Sequence, residues 1–343
     1  MLDSDLPDGR KPRISLLVTP ESTPAVLYGI YDVLTMVGMV YLDMVTGVAG
    51  DEMLDVKIVA QSAEPFRCYG NIPVEPHAGI DEISGTDAVV ICDRYTRFDS
   101  SPRGTYPELV EWLKQMYLRQ SILSAICSGS TILAETGLLD GLEASGHWAY
   151  QHVYRKHYPK VKWRRDSMLS LGGDDNRIIT TGGVAAWHGL ALYLIDRLCG
   201  RQQAVENAKV HLLSIHSSGQ LPYAAMTQND IHDDAIIRDV QAWIARNYAQ
   251  PNPVEKMALQ SGLKSRTFAR RFRAATGYFP LEYVQALRIE SAKRMLETGD
   301  TSVDEISGKV GYEDTASFRR LFKRQSGLTP MAYRKKFAGI APQ

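Results

Sequence analysis

The cysteine at position 127 is the residue best placed in this sequence to act as a nucleophile. It follows the apolar run Ser121–Ile126, which predicts a strand, and it precedes Ser128 and Gly129, where a helix is expected to begin. The N–H groups at a helix start favour a thiolate, and His147 could serve as its base or partner. A second interpretation remains open, because a Cys that ends a buried strand usually behaves as a small hydrophobic residue.

A second set of residues suits contact with a polyanion. The segment 268–283 reads FARRFRAATGYFPLEY and the segment 318–333 reads FRRLFKRQSGLTPMAY, so one pattern occurs twice, fifty residues apart. In each copy two Phe residues at i and i+4 predict the buried face of a helix, and Arg or Lys residues lie on another face. Such a helix fits the major groove of DNA, where cations contact phosphates and base edges.

Each copy also contains a turn between two helices, marked by Gly262 in the first copy and by Gly311 in the second. Glycine allows the positive φ that a tight helix-to-helix turn needs. The helices that follow the turns are predicted over Ser265–Ala275 and Asp314–Gln325. A connecting helix over Leu281–Glu297, about 25 Å long, would place the two predicted reading helices near one DNA turn apart.

The charges are divided unevenly along the chain. The net charge of the 343 residues is zero, but residues 252–343 hold 17 Lys/Arg against 9 Asp/Glu, and residues 1–251 hold 22 against 30. A basic C-terminal part on an acidic body is typical of a DNA-binding module joined to a module of another kind. The four cysteines form no CxxC pair, and His147, His152 and His157 have spacings that put no pair on one helical face, so we expect no metal and no cofactor.

Predicted strands and helices alternate over residues 10–216, which indicates a parallel sheet covered on both faces, an α/β fold. The predicted strands are Arg13–Val18, Val56–Ala60, Ala88–Cys92, Ile122–Ile126 and Ile178–Thr181. The predicted helices are Pro24–Val37, Tyr106–Arg119, Ser128–Thr136, Gly183–Cys199 and Gln202–Leu213. We therefore predict an α/β domain at residues 1–216.

The remainder of the chain is predicted to be a linker and an all-α domain. Residues 217–232 are polar and aperiodic, as expected of a linker, and residues 233–343 form the second domain. Its first helix is predicted over Asp233–Tyr248, with an acidic first turn. The sequence shows neither an apolar signal segment nor the run of ~20 apolar residues that a membrane span needs, so we expect a cytoplasmic protein.

Three stretches carry a resemblance to a known family. They are S-R-x-x-x-R-x-F-x(4)-G at Ser265–Gly277, R-I-x-x-A-K-R-M-L at Arg288–Leu296, and the stretch Ile306–Arg334 with its G-Y-x-D and T-P-x-x-Y-R motifs. Residues 252–337 thereby resemble the AraC-type DNA-binding domain. The resemblance implies two helix-turn-helix motifs, double-stranded DNA and RNA polymerase as partners, and a role in transcription initiation.

By position, this resemblance also implies which side chains face DNA. The base-facing residues would be Arg266, Ala269 and Arg270 in the first motif and Thr315, Ala316, Arg319 and Arg320 in the second. Arg273 and Lys323 continue the same cationic stripes toward the phosphates. Glu313 and Asp314 put acid at the start of the second helix, so the two half-sites should not be alike.

The segment AICSGSTILAETGLLDG at 125–141, with His147 and Trp148 after it, is similar to the PfpI or class I glutamine-amidotransferase-like superfamily over about residues 13–200. The pairing with an AraC-type domain is the arrangement of the GlxA-type transcriptional regulators. The resemblance implies a flavodoxin-like doubly wound sheet, a pocket around Cys127, His147 and Ser128, a small-molecule effector and a homodimer formed through this domain.

The sequence departs from the enzymes of that superfamily at three places. Ser128 stands where several carry His, Asp93-Arg94-Tyr95 replaces a Gly-Gly turn that supplies oxyanion donors, and Pro24 stands where an acid is expected, with Glu21 out of register. Loss of one such donor raises a barrier by roughly 3 kcal/mol. We therefore expect a vestigial or ligand-binding pocket in a sequence-specific transcriptional regulator that is not an enzyme.

The alternative is an active cysteine-dependent hydrolase or amidase that carries a DNA-binding domain. A redox-sensing Cys127 and an architectural DNA-binding protein without ligand control are less favoured.

Overall fold

The computed structural model describes residues 10–97, 100–214, 219–226 and 232–338. The chain divides into two compact units, Met1–Gln220 and Leu221–Gln343. The division falls inside the segment 217–232 that we predicted as a linker, of which residues 217–218 and 227–231 lie outside the described residues. Within that segment, Leu221–Tyr223 forms a 3₁₀ turn of the second unit.

A seven-stranded sheet forms the centre of the first unit. The strands in chain order are β1 (Arg13–Leu17), β2 (Asp55–Ala60), β3 (Phe66–Cys68), β4 (Ile72–Val74), β5 (Ala78–Gly79), β6 (Ala88–Ile91), β7 (Ile122–Ala125), β8 (Glu143–Ser145), β9 (Lys162–Arg164), β10 (Leu169–Gly172) and β11 (Ile178–Thr181). The spatial order is β10-β11-β7-β6-β1-β2-β5, while β3 pairs with β4 and β8 pairs with β9 in small separate sheets. All neighbours in the large sheet are parallel except β10, which is antiparallel to β11.

The five strands predicted from sequence are the central ones, β2-β1-β6-β7-β11. Numbered along the chain, these five have the order 2-1-3-4-5 of flavodoxin-like folds, which confirms the predicted fold class. In register, Leu16 of β1 lies opposite Ile58 of β2 and Val90 of β6. The carboxyl ends of β1, β6 and β7 therefore meet at one edge, where the strand order reverses and where such sheets bind ligands.

Helices cover both faces of this sheet. They are α1 (Pro24–Thr35), α2 (Val40–Thr46), α3 (Pro107–Leu118), α4 (Ser130–Glu135), α5 (Gln151–His157), α6 (Trp187–Cys199) and α7 (Arg201–Val210). Residues of α1, α6 and α7 share one hydrophobic cluster, and residues of α3, α4 and α5 share another. Leu16 belongs to the first cluster and Leu17 to the second, as expected of a strand buried on both faces.

Two helix starts differ from the prediction. Residues Cys127–Gly129 form a 3₁₀ turn before α4, and Val184–Ala186 form another before α6, so the α-helices begin later than predicted. Helices α2 and α5 were not predicted. All of α2 is at least partly exposed, so its sequence lacks the apolar stripe that marks a packed helix. Among the described residues, no single helix is long and apolar enough to cross a membrane; α1 and α2 reach that length together but are bent by 55°.

The described residues of the second unit form helices joined by turns and loops. Its helices are α8 (Ala235–Asn247), α9 (Pro253–Ser261), α10 (Ser265–Thr276), α11 (Pro280–Thr298), α12 (Val303–Lys309), α13 (Thr315–Ser326) and α14 (Pro330–Ala338). The predicted acidic first turn of α8 is wrong, because the helix begins only at Ala235. Asp234 is instead its N-cap: the carboxylate accepts the N–H of Ile237 at 3.2 Å and pairs with the guanidinium of Arg271.

Two hydrophobic clusters hold this unit together, and both include residues of α11. Tyr283 and Val284 belong to the cluster with α8, α9 and α10. Ile289, Ala292 and Leu296 belong to the cluster with α12, α13 and α14. The two copies of the repeat are thus joined by a helix that is part of the core of each.

Candidate nucleic-acid interface and cysteine elbow

Helix α10 separates an aromatic face from a cationic face. Phe268 and Phe272 are almost fully buried, with their ring centroids 5.4 Å apart. Arg266 and Arg270, by contrast, are exposed, and among the described residues neither guanidinium forms a hydrogen bond or an ion pair. Both side chains are therefore available to an anionic partner without first breaking a contact within the fold.

The turns before the two reading helices rely on glycine, as predicted. Gly262 ends α9 with φ 66°, and Gly311 has φ 89° in the second copy. The second turn is also sterically closed, because a Cβ at Gly311 would lie 2.3 Å from the carbonyl oxygen of Ala249. A Cβ at Gly262 would meet nothing within 4 Å.

Helix α13 differs from α10 in the state of its arginines. Arg319 pairs with Asp304 at 3.1 Å, and Arg320 donates to the Ser317 hydroxyl at 2.8 Å and lies 3.9 Å from Asp314. Asp314 is the N-cap of the helix, and hydrogen bonds from the Ser317 hydroxyl and from the N–H groups of Ala316 and Ser317 lower its pKa. Both Arg319 and Arg320 are thus held near acidic side chains.

The structure places the other predicted DNA-facing residues on these two helices. Arg273 lies over the ring of Phe279 at 4.3 Å, and Ala269 is half-buried. On α13, Thr315 is half-buried, while Ala316 and Lys323 are exposed. The first copy therefore offers two unpaired arginines and one stacked arginine, and the second offers one exposed lysine beside two paired arginines.

Cys127 occupies a sharp turn between β7 and α4. Its φ is +55°, a backbone conformation that costs a non-glycine residue on the order of 1–3 kcal/mol. Gly129 supports the turn, because a Cβ there would lie 2.4 Å from the carbonyl oxygen of Cys92. This geometry matches the elbow predicted from sequence.

Of the two interpretations left open for this elbow, the surroundings of the thiol favour the buried hydrophobic residue over the thiolate. Cys127 is only 4% exposed, and burial, followed by the nearby charge of Asp93, raises the pKa of its thiol to about 12. These two effects on the pKa outweigh the lowering that the N–H groups at the helix start were expected to cause. The thiol is protonated at neutral pH, which agrees with the alternative that Cys127 is a small buried hydrophobic residue.

His147 is half-buried and turned toward its own loop. Its Nδ1 accepts the N–H of Ala149 at 3.1 Å, and its backbone N–H donates to the hydroxyl of Tyr154 at 3.2 Å. Burial lowers the pKa of the imidazole. Within the described part of the chain, no hydrogen bond joins His147 to Cys127, so the structure does not assemble the predicted base and nucleophile into a working pair.

The backbone N–H groups of Arg94 and Tyr95, in the turn after β6, donate hydrogen bonds within the fold. The hydroxyl of Ser128 accepts the N–H of Arg94 at 3.1 Å and donates to the Arg94 carbonyl. The N–H of Tyr95 donates to the carbonyl of Glu21 at 2.7 Å. Because these donors are satisfied inside the fold, they are not free to stabilise an oxyanion.

The carboxylate of Asp93 lies near the thiol of Cys127, although the sequence assigned this residue only to the turn that replaces Gly-Gly. It is 2% exposed, and both its oxygens lie 2.9 Å from the hydroxyl of Thr23. Burial raises its pKa to about 6, although hydrogen bonds from Thr23 act in the opposite direction. An acid directly after a buried strand, at the edge where the strand order reverses, was the signal that could have identified it. In the described residues, no group of three or more His, Cys, Asp or Glu could hold a metal ion.

Comparison with known proteins supports both halves of this description. Residues 257–336 match the model of a helix-turn-helix domain, and residues 35–196 match that of the DJ-1/PfpI family. The HTH-type transcriptional regulator GbdR of Pseudomonas aeruginosa is 23% identical over 84% of this chain and 77% of its own length. The HTH-type transcriptional regulator CdhR of the same organism is 27% identical over 66% of this chain and 67% of its own length.

A solved structure also resembles the first part of the chain. The crystal structure of a Vibrio parahaemolyticus protein superposes with a TM-score of 0.50 at 18% identity and covers 60% of this chain and 100% of that one. At this identity the likeness shows the fold alone.

Proposed function

This chain joins an N-terminal DJ-1/PfpI domain to a C-terminal AraC-type helix-turn-helix domain, and on that premise we propose that it regulates transcription by binding specific DNA through α10 and α13. The observation that carries the proposal is the pair Arg266 and Arg270. Both are exposed on the face of α10 that turns away from its buried phenylalanines, and neither pairs with another residue in the part of the chain that the structure describes. Arginine in that position can donate two hydrogen bonds to guanine in the major groove.

The two helices are proposed to contribute unequally. Arg266 and Arg270 can meet DNA directly, whereas Arg319 and Arg320 must leave or share their contacts with Asp304 and Asp314. The N-cap carboxylate of Asp314 also repels phosphate. We therefore assign broad, strong binding to α10 and a weaker, more selective contribution to α13.

The N-terminal domain is proposed to be a sensing and dimerisation module without catalytic activity. The protonated thiol of Cys127 and the occupied N–H of Arg94 support this assignment. A small-molecule effector, a homodimer and RNA polymerase complete the proposed partners, as in the GlxA-type arrangement, and the cytoplasm is the compartment where such a protein meets DNA.

A cysteine-dependent hydrolase is the second candidate. The positive φ of Cys127 and the buried acid Asp93 near its thiol favour it, because strained elbows and perturbed carboxyls concentrate at catalytic sites. The Cys127→Ser variant separates the two functions. Loss of a defined ester or amide turnover would support the hydrolase, and unchanged regulation with no turnover in either form supports the regulator.

The direct test begins by selecting bound fragments from genomic DNA with the full-length protein. The affinity of a selected fragment is then measured by fluorescence anisotropy for the wild type, Arg266→Ala, Arg270→Ala and the control Arg294→Ala. Arg294 is an exposed arginine on α11, so the control removes the same charge outside the two helices proposed to contact DNA. Each α10 variant should lose about 1–3 kcal/mol of specific binding while the control stays near the wild type. Equal losses in all three variants would overturn the assignment of α10.

A further inference from the structure

A cavity of about 490 Å³ lies in the first unit between α6, α7 and the edge strand β10. Its walls are mostly apolar and include Leu169, Leu192, Tyr193 and Leu213. The volume falls within the range of roughly 300–1,000 Å³ that is usual for small-molecule sites. None of the residues that line the cavity belongs to the cysteine elbow, so it is a separate place in the same domain.

Small side chains keep this space open. Ala204 and Ala208 line it from α7, and Gly189 lines it from the first turn of α6. A Cβ at Gly189 would meet nothing within 4 Å, so even the backbone borders unfilled space there. Protein interiors are close-packed, and an unfilled gap of this size forfeits dispersion contacts that larger residues at these three positions would supply.

Two charged residues line the otherwise apolar cavity. Nη1 of Arg201 lies 3.3 Å from Oδ2 of Asp196, and the side chain of Arg201 is 84% exposed. No other hydrogen bond of this guanidinium is found among the described residues, which leaves its remaining N–H groups for an incoming anion. Arg201 is also the first residue of α7, so a negative group would meet the N-terminal end of the helix.

We propose that this cavity is an effector site for a compact apolar acid, an aromatic or branched aliphatic molecule with one carboxylate. The apolar part fills the space beside Gly189, and the carboxylate binds Arg201. This ligand class belongs to the sensing function proposed above. Binding of the ligand does not depend on that function, but its effect on DNA binding does.

The position of the cavity provides a route to the end of the first unit. Met168, which lines the cavity, follows Ser167 and Asp166, and the carbonyls of these two residues accept the side-chain amide and backbone N–H of Gln220 at 2.8 and 3.0 Å. Gln220 is 1% exposed and is the last residue of the first unit. A ligand that displaces Met168 therefore acts on the segment that anchors the chain just before the DNA-binding unit begins.

Binding is tested on the full-length protein with the fluorescent anion 1-anilinonaphthalene-8-sulfonate and with displacement of this probe by phenylacetate. Gly189→Leu should fill the cavity without a backbone clash and weaken the probe by about tenfold or more. Met44→Ser, on the exposed helix α2, is the control for adsorption to apolar surface and should leave the probe's Kd within about twofold. The idea is overturned if Gly189→Leu binds the probe like the wild type or if Met44→Ser abolishes binding.

Two competitors of similar size, one anionic and one neutral, test the ligand class. Arg201→Gln should weaken displacement by phenylacetate by about fivefold or more and leave displacement by neutral benzyl alcohol within about twofold. Equal effects on both competitors would show that Arg201 does not bind a carboxylate. DNA affinity is also measured without any probe, which separates the two proposals. A protein that binds DNA but takes up no probe would reject the effector site and leave the proposed function intact.

Discussion

The hydroxyl of Ser128 accepts the backbone N–H of Arg94 at 3.1 Å and donates to the carbonyl of the same residue. One side chain thus closes the turn Asp93-Arg94-Tyr95 that follows β6. The contact joins residues 34 positions apart, both of them buried. The contact therefore ties the turn after β6 to the residue next to Cys127.

Replacing this hydroxyl should cost stability and bring no activity. Ser128→Ala leaves the buried N–H of Arg94 without an acceptor, which costs about 1–3 kcal/mol of unfolding free energy. Urea denaturation followed by tryptophan fluorescence measures the loss, with exposed Ser62→Ala as a control expected to change by less than ~0.5 kcal/mol. A Ser128→Ala protein as stable as the control would show that the contact is unimportant.

Cys127 should resist alkylation in the native protein. Its thiol is buried and its pKa is raised to about 12, so very little thiolate is present at pH 8. Iodoacetamide labelling followed by peptide mass spectrometry should show modification of Cys127 only after denaturant is added. Rapid native labelling at pH 7 that disappears in Cys127→Ser would contradict the structure and revive the catalytic or redox alternatives.

Asp93 should make stability fall as pH rises. Its folded-state pKa of about 6 lies above the unfolded value of ~3.9, so the folded protein binds the proton more tightly. The stabilising effect is complete below pH ~4 and is lost as pH rises through about 6. Asp93→Asn should therefore gain stability relative to the wild type between pH 4.5 and 7.5, by on the order of 2 kcal/mol. Urea midpoints across this range provide the measurement, with exposed Asp51→Asn as control; a constant difference between wild type and Asp93→Asn would refute the shift.

Releasing Arg319 should strengthen DNA binding. Asp304→Asn removes the carboxylate that holds this guanidinium at 3.1 Å. It also removes a negative charge beside α13, which is proposed to contact DNA. We expect an affinity gain of about threefold at moderate salt, with a steeper salt dependence. Asp300→Asn, an exposed acid just before α12, controls for net charge. If both variants gain equally, the ion pair has no specific role.

The two turn glycines should differ in their tolerance of alanine. Gly262→Ala meets open space and should lose about 1 kcal/mol from its positive φ alone. Gly311→Ala adds a clash with the Ala249 carbonyl to the same strain and should lose at least about 2 kcal/mol more. Thermal unfolding of the two variants compares them directly, and equal losses would mean that the second turn relaxes freely.

Local patterns predicted the five central strands and the helices α10 and α13, because the information lies within a few residues. The spacing of Phe268 and Phe272 identifies a buried helix face without reference to the rest of the chain. Contacts between residues that are distant in sequence leave no such local pattern. The Ser128–Arg94 contact and the burial of Cys127 and Asp93 arise only when strands distant in sequence meet. The burial of Cys127, followed by the charge of Asp93, raises the pKa of its thiol. The exposed helix α2 also escaped prediction, since its apolar residues face no core.

Helix α11 contributes side chains to both cores of the second unit, with Val284 in one and Ile289 in the other. Each residue of an α-helix advances the side-chain direction by about 100°. An insertion or deletion of one residue between these positions would turn one set of core side chains away from its cluster while the other stayed in place. The length of this stretch is therefore fixed by the side-chain directions that the two cores require. Over evolutionary time, insertions or deletions that change the spacing of the two copies of the repeat would have to occur outside this stretch of α11.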